Sequence, residues 1–347
     1  MFWLIGGTEL VWGLVSLAPR RFADAFAPQL QHAPWVGFHF YDLGFPSFLA
    51  LVGISIALSM ARYTEKGNRP AAVYGRILRR LVLLFVLGLV YNGFFHHPWH
   101  ELRVAGVLQR IGICYAAAAL VVLHFKPRGQ AVIAAALLLG YWALMALVPV
   151  PGVGAGILTP AGNLAGYVDR HLLPQPMCCY SFGDSCGILS TIPAIATVLI
   201  GALAGAWLRA AGTAGHRISG LVLAGVISLA AGEAWGHWFP VIKHLWTSSY
   251  VLVSAGIGLL ILAFFYWLID GRGYRRWAFF FVVIGANAIL LYVLSSQLSI
   301  MMLVRYLGYG DGQRLGMFWQ TGLHAFDLAW AWLLVWFLYR KKIFLRV

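Results

Sequence analysis

The chain has 347 residues and a formal charge of +14, yet 61% of it is hydrophobic and only 10% is charged, with a mean hydropathy of +0.80. A soluble domain carries roughly 25% charged residues, so that class is excluded. The basic excess invites a nucleic-acid partner, which its distribution argues against. Ten apolar runs long enough to cross hydrocarbon as helices recur along the chain, at about 2–18, 43–61, 79–95, 106–124, 131–149, 188–208, 218–235, 249–269, 277–296 and 320–339. They are continuous and rich in Leu, Ala and Gly, whereas a β-barrel shows short alternating segments. The expected fold class is all-α, a polytopic membrane bundle of about ten helices in one domain over 1–347. The first run opens inside apolar sequence, Met1-Phe-Trp-Leu-Ile-Gly-Gly, with no basic flank and no cleavable signal peptide. The natural N-terminus is therefore expected to extend further.

The charges are sorted by loop. If the N-terminus is cytoplasmic, cytoplasmic connections hold Arg62 to Arg80, Lys126 and Arg128, Arg209 and Arg217, Arg272 to Arg276, and Arg340 to Arg346, which is 17 of the 25 Lys and Arg. The opposite face keeps Arg20, Arg21, Arg103, Arg110, Arg170, Lys243, Arg305 and Arg314. This is the positive-inside bias of a membrane protein. It places both termini in the cytoplasm and gives the bilayer, not nucleic acid, as partner.

The first outer loop reads Gln31-His-Ala-Pro-Trp-Val-Gly-Phe-His-Phe-Tyr-Asp-Leu-Gly-Phe-Pro46. Asp42 suits a helix N-terminus, and His32 is then merely interfacial. Alternatively Asp42 charges or orients His32, which acts as base or nucleophile. Trp35 lies between them. Next come Arg103, Gln109 and Arg110, drawn into the outer end of the fourth span. Such arginines need an anion, either a carboxylate such as Glu9 or Glu101 or a ligand phosphate.

The outer segment 150–187 is long for a structureless connection, so it is expected to be functional or to carry short helices. It contains Gly162-Asn-Leu-Ala-Gly-Tyr-Val-Asp-Arg170 and Asp184-Ser-Cys-Gly187. A disulfide from Cys178 or Cys179 to Cys186 is one alternative; a metal site lacks a second ligand pair at suitable spacing. Small-residue spacings at Gly201 and Gly205, and at Gly232 and Gly236, suit close helix approach. Lys243-His-Leu-Trp-Thr-Ser-Ser249 puts Lys243, Trp246 and Ser249 beside the outer face, and with Asp169 and Asp184 they suit a sugar; Trp246 and Tyr250 also suit an aromatic belt. Asn287 interrupts an apolar span that ends near Tyr292, and its amide must find hydrogen bonds. The segment 297–319 is expected to hold an interfacial helix. Glu9, Glu233, His324 and Asp327 are further polar groups within spans.

Together these stretches resemble the heparan-alpha-glucosaminide N-acetyltransferase family. The resemblance runs through His32–Pro46, Arg79-Arg-Leu-Val-Leu-Leu-Phe-Val-Leu-Gly88, Arg103–Arg110, Gly162–Arg170, Gly187–Gly205, Lys243–Tyr250, Gly285–Tyr292 and the basic tail, in that order. It implies a transmembrane acyltransferase that moves acetyl from cytosolic acetyl-CoA to an amino sugar or glycan on the extracytoplasmic side. The family's histidine falls on His32, its aspartate on Asp42 and its buried asparagine on Asn287. Arg103, Gln109, Arg110, Asn287 and Tyr292 would then hold CoA, and Trp35, Asp169, Asp184, Lys243, Trp246 and Ser249 the acceptor, without a metal. The expected location is a bacterial inner membrane, and a homodimer stays open. Two departures stand out. The family's Asp-x-x-Arg-Gly-Phe-like stretch before the first span is missing, and Asp184-Ser-Cys-Gly187 stands where the family tends to have Asp-Pro-Glu-Gly. The chief rival is a saccharide or lipid-linked sugar transporter or flippase; a structural subunit of an envelope-glycan complex is a third reading.

Overall fold

A computed structural model describes residues 2–66, 71–95, 98, 101–174, 177–180, 182–295 and 317–345. Among the described residues seven helices are long and apolar enough to cross a bilayer: Phe40–Ala61, Val107–His124, Pro127–Leu147, Thr191–Arg209, Ala214–Gly236, Ser248–Gly271 and Thr321–Arg340. The chain is an integral membrane protein. Three of the ten expected spans take another form. The first is a 3-10 turn, Phe2–Ile5, followed by the ten-residue helix α1, Gly7–Ser16. Another lies within a long helix, Ala71–Tyr91, that carries Arg76, Arg79 and Arg80. The run 277–296 is broken at Asn287, whose backbone (φ −125°, ψ 38°) leaves the helical region. The interfacial helix expected over 297–319 lies outside the described residues as far as 316.

Two compact units are distinguished, Met1–His32, His39–Tyr41 and Leu268–Val347 in one, Ala33–Phe38 and Asp42–Trp267 in the other. The first unit contains α1 and the short helix α2, Arg20–Phe26. The second then supplies α3 (Gly44–Lys66), α4 (Ala71–Tyr91), α5 (Val107–His124), α6 (Pro127–Leu147), α7 (Leu164–Leu172), α8 (Thr191–Arg209), α9 (Ala214–Gly236) and α10 (Ser248–Tyr266). The first unit is completed by α11 (Ala278–Ala286), α12 (Ala288–Ser295) and α13 (Met317–Arg340).

Within the second unit, close helix contact follows from small residues. A Cβ on Gly53 of α3 would meet the backbone oxygen of Val198 on α8, and one on Gly201 of α8 would meet that of Ala50. Gly205 packs against Ile54 and Ala57, and Gly232 of α9 against Leu252 and Val253 of α10. The expected approach at Gly201, Gly205 and Gly232 is therefore present; Gly236 faces only an ordinary contact with Val241. Pro127 opens α6 where a missing N–H does no harm. Asn163 and Thr213 cap α7 and α9 by accepting the N–H of Gly166 and of His216.

The 150–187 segment is ordered by its own structure. A bridge joins Val150 and Gly154, α7 follows, and a two-stranded antiparallel ribbon pairs β1 (Cys179–Tyr180) with β2 (Gly183–Asp184). In the first unit, Val283, Ile284, Leu291, Leu328, Ala331 and Val335 form an apolar core. Phe280 stacks on Trp332 at 5.6 Å, and the Trp332 indole donates to the Phe280 carbonyl.

Candidate functional site

Four helices of the second unit open at a common polar cluster. Asp42 sits in the 3-10 turn just before α3, and Arg110 lies in the first turn of α5. Ser190 and Thr247 immediately precede α8 and α10. Hydrogen bonds and ring contacts join these starts. The Tyr250 hydroxyl of α10 donates to the Asp42 carbonyl (2.8 Å), and the Arg110 guanidinium of α5 donates to the Ser190 hydroxyl. It also lies over the Trp246 ring at 5.1 Å. Helix N-termini carry partial positive charge and favour anions.

Asp42 is fully buried, and its carboxylate accepts the Ala33 N–H at 3.2 Å and pairs with the Lys243 ammonium at 3.4 Å. The simple helix-cap role is thus not the whole of its environment. Burial drives the Lys243 amine below its ordinary range, and the Asp42 charge opposes that.

Arg103 finds its anion in the second unit itself. It grips Asp184 with two bonds of 2.8 Å. Asp184 also accepts the N–H groups of Cys178 (3.0 Å) and Cys186 (2.7 Å). Asp169, on α7, accepts the N–H groups of Asp184 and Ile188. Gly187 passes so close to that carboxylate that a Cβ would overlap it. Burial is the largest influence on Asp169 and holds its carboxyl above the ordinary carboxylate range, although both N–H bonds pull the other way.

The bridge to Cys186, one of the alternatives in the sequence, is not the one formed. Cys178 and Cys179 are joined to each other, while Cys186 is an unlinked buried thiol. Cys179 has a left-handed backbone (φ 83°).

Arg110 is 1% exposed and its Nη2 is occupied by Ser190 and by the Gly187 carbonyl, but Nε and Nη1 have no hydrogen-bond partner. The Gln109 Nε2 beside it is also buried and unbonded. Leaving such donors unsatisfied costs about 1–3 kcal/mol each, and an oxygen-rich ligand would satisfy them. Trp246 and Tyr250 are interior residues rather than a lipid-facing belt: the Trp246 indole donates to Thr197 and its ring edge meets Phe45. Ser249 is fully buried and bonds the Phe239 carbonyl at 2.5 Å. Trp35 donates to the Leu158 carbonyl and stacks on His244.

The other unit holds the remaining expected residues. His32 packs against the Tyr41 ring at 4.5 Å. Tyr292 is half-buried on α12. Asn287 is 1% exposed and uses both ends of its amide on the C-terminal segment, donating to the Ile343 carbonyl and accepting the Leu345 N–H, each at 3.0 Å. Among the described residues no group of three or more His, Cys, Asp or Glu side chains could hold a metal ion.

No family model matches the chain. Comparison with known proteins finds heparan-alpha-glucosaminide N-acetyltransferase of Homo sapiens, 29% identical over an alignment 358 positions long, gaps included, that covers 81% of this chain and 53% of that protein. The Mus musculus protein of the same name is 29% identical over 321 residues, covering 76% and 48%. These two similarities support a family-level relationship with the heparan-alpha-glucosaminide N-acetyltransferases. The chain spans about half the length of these curated relatives.

Three participants escaped sequence reasoning. Ser190 holds Arg110, Tyr141 donates to the Leu245 carbonyl at 2.6 Å, and Ser185 bonds His244 at 2.7 Å. Ser185 and His244 stand inside stretches that the sequence does single out, but a hydroxyl carries no signal until its partner is known.

Proposed function

We propose that this protein is a transmembrane acyltransferase that transfers acetyl from cytosolic acetyl-CoA to an amino sugar or glycan on the extracytoplasmic side. The observation that carries this reading is Arg110: a buried cation with two unbonded guanidinium nitrogens, in a cluster where four helices start, in a chain related to N-acetyltransferases. The residues fit an anionic, amide-rich donor. Arg110 and Gln109 would contact it, with Arg103 holding the wall through Asp184. When bound, CoA supplies the acyl group as a thioester. Trp35, Asp169, Asp184, Lys243, Trp246 and Ser249 frame the acceptor side.

His32 is the proposed general base or nucleophile and Asp42 its acidic counterpart. General base catalysis contributes on the order of 10²–10⁴ in rate, and the rest falls to positioning. The complete membrane architecture is read as ten spans with both termini cytoplasmic, in a bacterial inner membrane, with a homodimer open.

One experiment with two readouts tests this. CoA should raise the melting temperature of the purified protein, as any ligand selective for the folded state does, and adenosine should do so much less. Arg110→Gln should shrink that shift. His32→Ala should keep it and lose nearly all acetyl transfer. No shift at saturating CoA overturns the reading, and a His32→Ala protein with appreciable transfer removes His32 from it.

A further inference from the structure

Ser185 and His244 form a hydroxyl–imidazole pair that the assignments above leave unused. The Ser185 Oγ lies 2.7 Å from His244 Nδ1. Both side chains are half-buried, while Asp184, Cys186, Leu245 and Trp246 on either side of them are buried. The pair therefore sits at an accessible point of a rigid wall.

Each partner is held by its neighbours. Ser185 follows Asp184, whose carboxylate is gripped by Arg103 and by two backbone N–H groups, and the Ser185 N–H itself donates to the Cys178 carbonyl at 3.3 Å. His244 lies between Lys243, paired with Asp42, and Leu245, whose carbonyl is bonded by Tyr141. Its ring plane is set by stacking on Trp35 at 5.4 Å and 13°, with Tyr180 at 5.8 Å as a second aromatic wall. Trp35 is pinned in turn through its indole N–H to Leu158. A nucleophile within hydrogen-bond reach of a base, on a support that fixes both rotamers, is the arrangement that activates a serine.

We propose that Ser185 is a covalent acyl carrier and His244 its proton acceptor. This rests on the acyltransferase reading and deepens it. In the first half-reaction the Ser185 hydroxyl gives its proton to Nδ1 as Oγ bonds the acyl carbon. The carbon–sulfur bond of the thioester breaks, and the departing thiolate takes the proton from the imidazolium. In the second, an amine or hydroxyl of the saccharide gives a proton to Nδ1 and bonds the acyl carbon. The bond to Oγ breaks and Oγ recovers the proton. The acceptor class is a saccharide whose ring faces the Trp35 and Tyr180 walls.

The test uses the whole chain in lipid nanodiscs with p-nitrophenyl acetate, an activated ester that needs no CoA site, and in parallel with acetyl-CoA. A burst of p-nitrophenol and an acetyl group on the peptide that carries Ser185 are expected. Ser185→Ala should abolish both. His244→Asn should slow acylation about a hundredfold or more. Ser185→Cys should carry the label as a thioester that neutral hydroxylamine removes, which separates a lost nucleophile from a misfolded loop. If folded parent protein, with its melting temperature intact, shows no acetyl group at Ser185 from the ester, the proposal is overturned. It is also overturned if Ser185→Ala turns over at the parent rate. The CoA melting shift is read on the same samples. A shift without Ser185 label sinks the carrier and leaves the acyltransferase reading standing; label from the ester without a shift does the reverse.

Discussion

Asp42 and Lys243 show what a single buried pair does here. The carboxylate has no exposed surface and the ammonium little, so removing either charge takes an opposite charge away from the other in a buried setting. Breaking such a pair costs about 3–5 kcal/mol, and Lys243→Met is expected to lower the melting temperature and the folded yield even where no substrate is present. Asp169 makes a pH prediction. Its carboxyl is raised by burial, so the folded protein holds this proton to higher pH than the unfolded chain does. Its stabilising contribution is fully present below the ordinary carboxylate value of about 3.9 and is lost as pH rises through the folded-state value. Asp169→Asn should flatten that limb of the melting-temperature profile, with a constant offset of about 1–3 kcal/mol from an N–H left facing an amide. A mutant profile parallel to that of the parent would assign the titration elsewhere. Asp42, Arg103 and Lys243 are legible in sequence because charge at a membrane boundary is conspicuous. Their partners are not: Arg103 chooses Asp184, 81 residues away, and no local pattern encodes that distance.

At the scale of elements, small residues set how closely helices approach. Gly201→Ala would drive a methyl into the Ala50 carbonyl, and a backbone neighbour cannot swing aside. Overpacking of this kind costs about 1–3 kcal/mol. Gly258→Ala on α10 meets nothing within 4 Å and should leave stability unchanged or improved, since alanine favours helix over glycine by about 1 kcal/mol. Equal melting temperatures for the two variants would refute close packing of α3 on α8. Gly201 and Gly205 announce themselves by spacing; Gly53, which receives α8 from the other side, does not, because it is isolated in its own helix. The run 277–296 reads as one span by hydropathy. Its break is set by Asn287, whose amide serves the C-terminal backbone rather than its own helix.

For the molecule as a whole, the arrangement of Lys and Arg predicts which loops face the cytoplasm. Ala211→Cys, in the exposed connection between α8 and α9, should react with an impermeant thiol reagent only from the cytoplasmic side. Ala161→Cys, exposed just before α7, should react only from the other. Reaction of both from one side would invert the charge argument. The membrane class and most spans are legible because twenty apolar residues in a row have few other uses. The ordered 150–187 segment was less so, since its ribbon and short helix are held by buried carboxylates rather than by a periodic apolar pattern.

The Tyr250 hydroxyl reaches back across 208 residues to the turn that carries Asp42. At about 5–20 residues per second, a ribosome takes roughly 10–40 s to make that stretch. Throughout that interval Asp42 enters the bilayer boundary before Lys243 exists. The nascent chain must therefore wait in a half-built state with this acid lacking its Lys243 partner, and the segment 243–250 is the piece that ends the wait. Substitutions in 243–250 are expected to appear in living cells first as rapid degradation of newly made protein, ahead of any loss of chemistry in molecules that mature. A pulse-chase comparison of Lys243→Met with His32→Ala reads the difference directly: short-lived in the first, parent-like lifetime in the second.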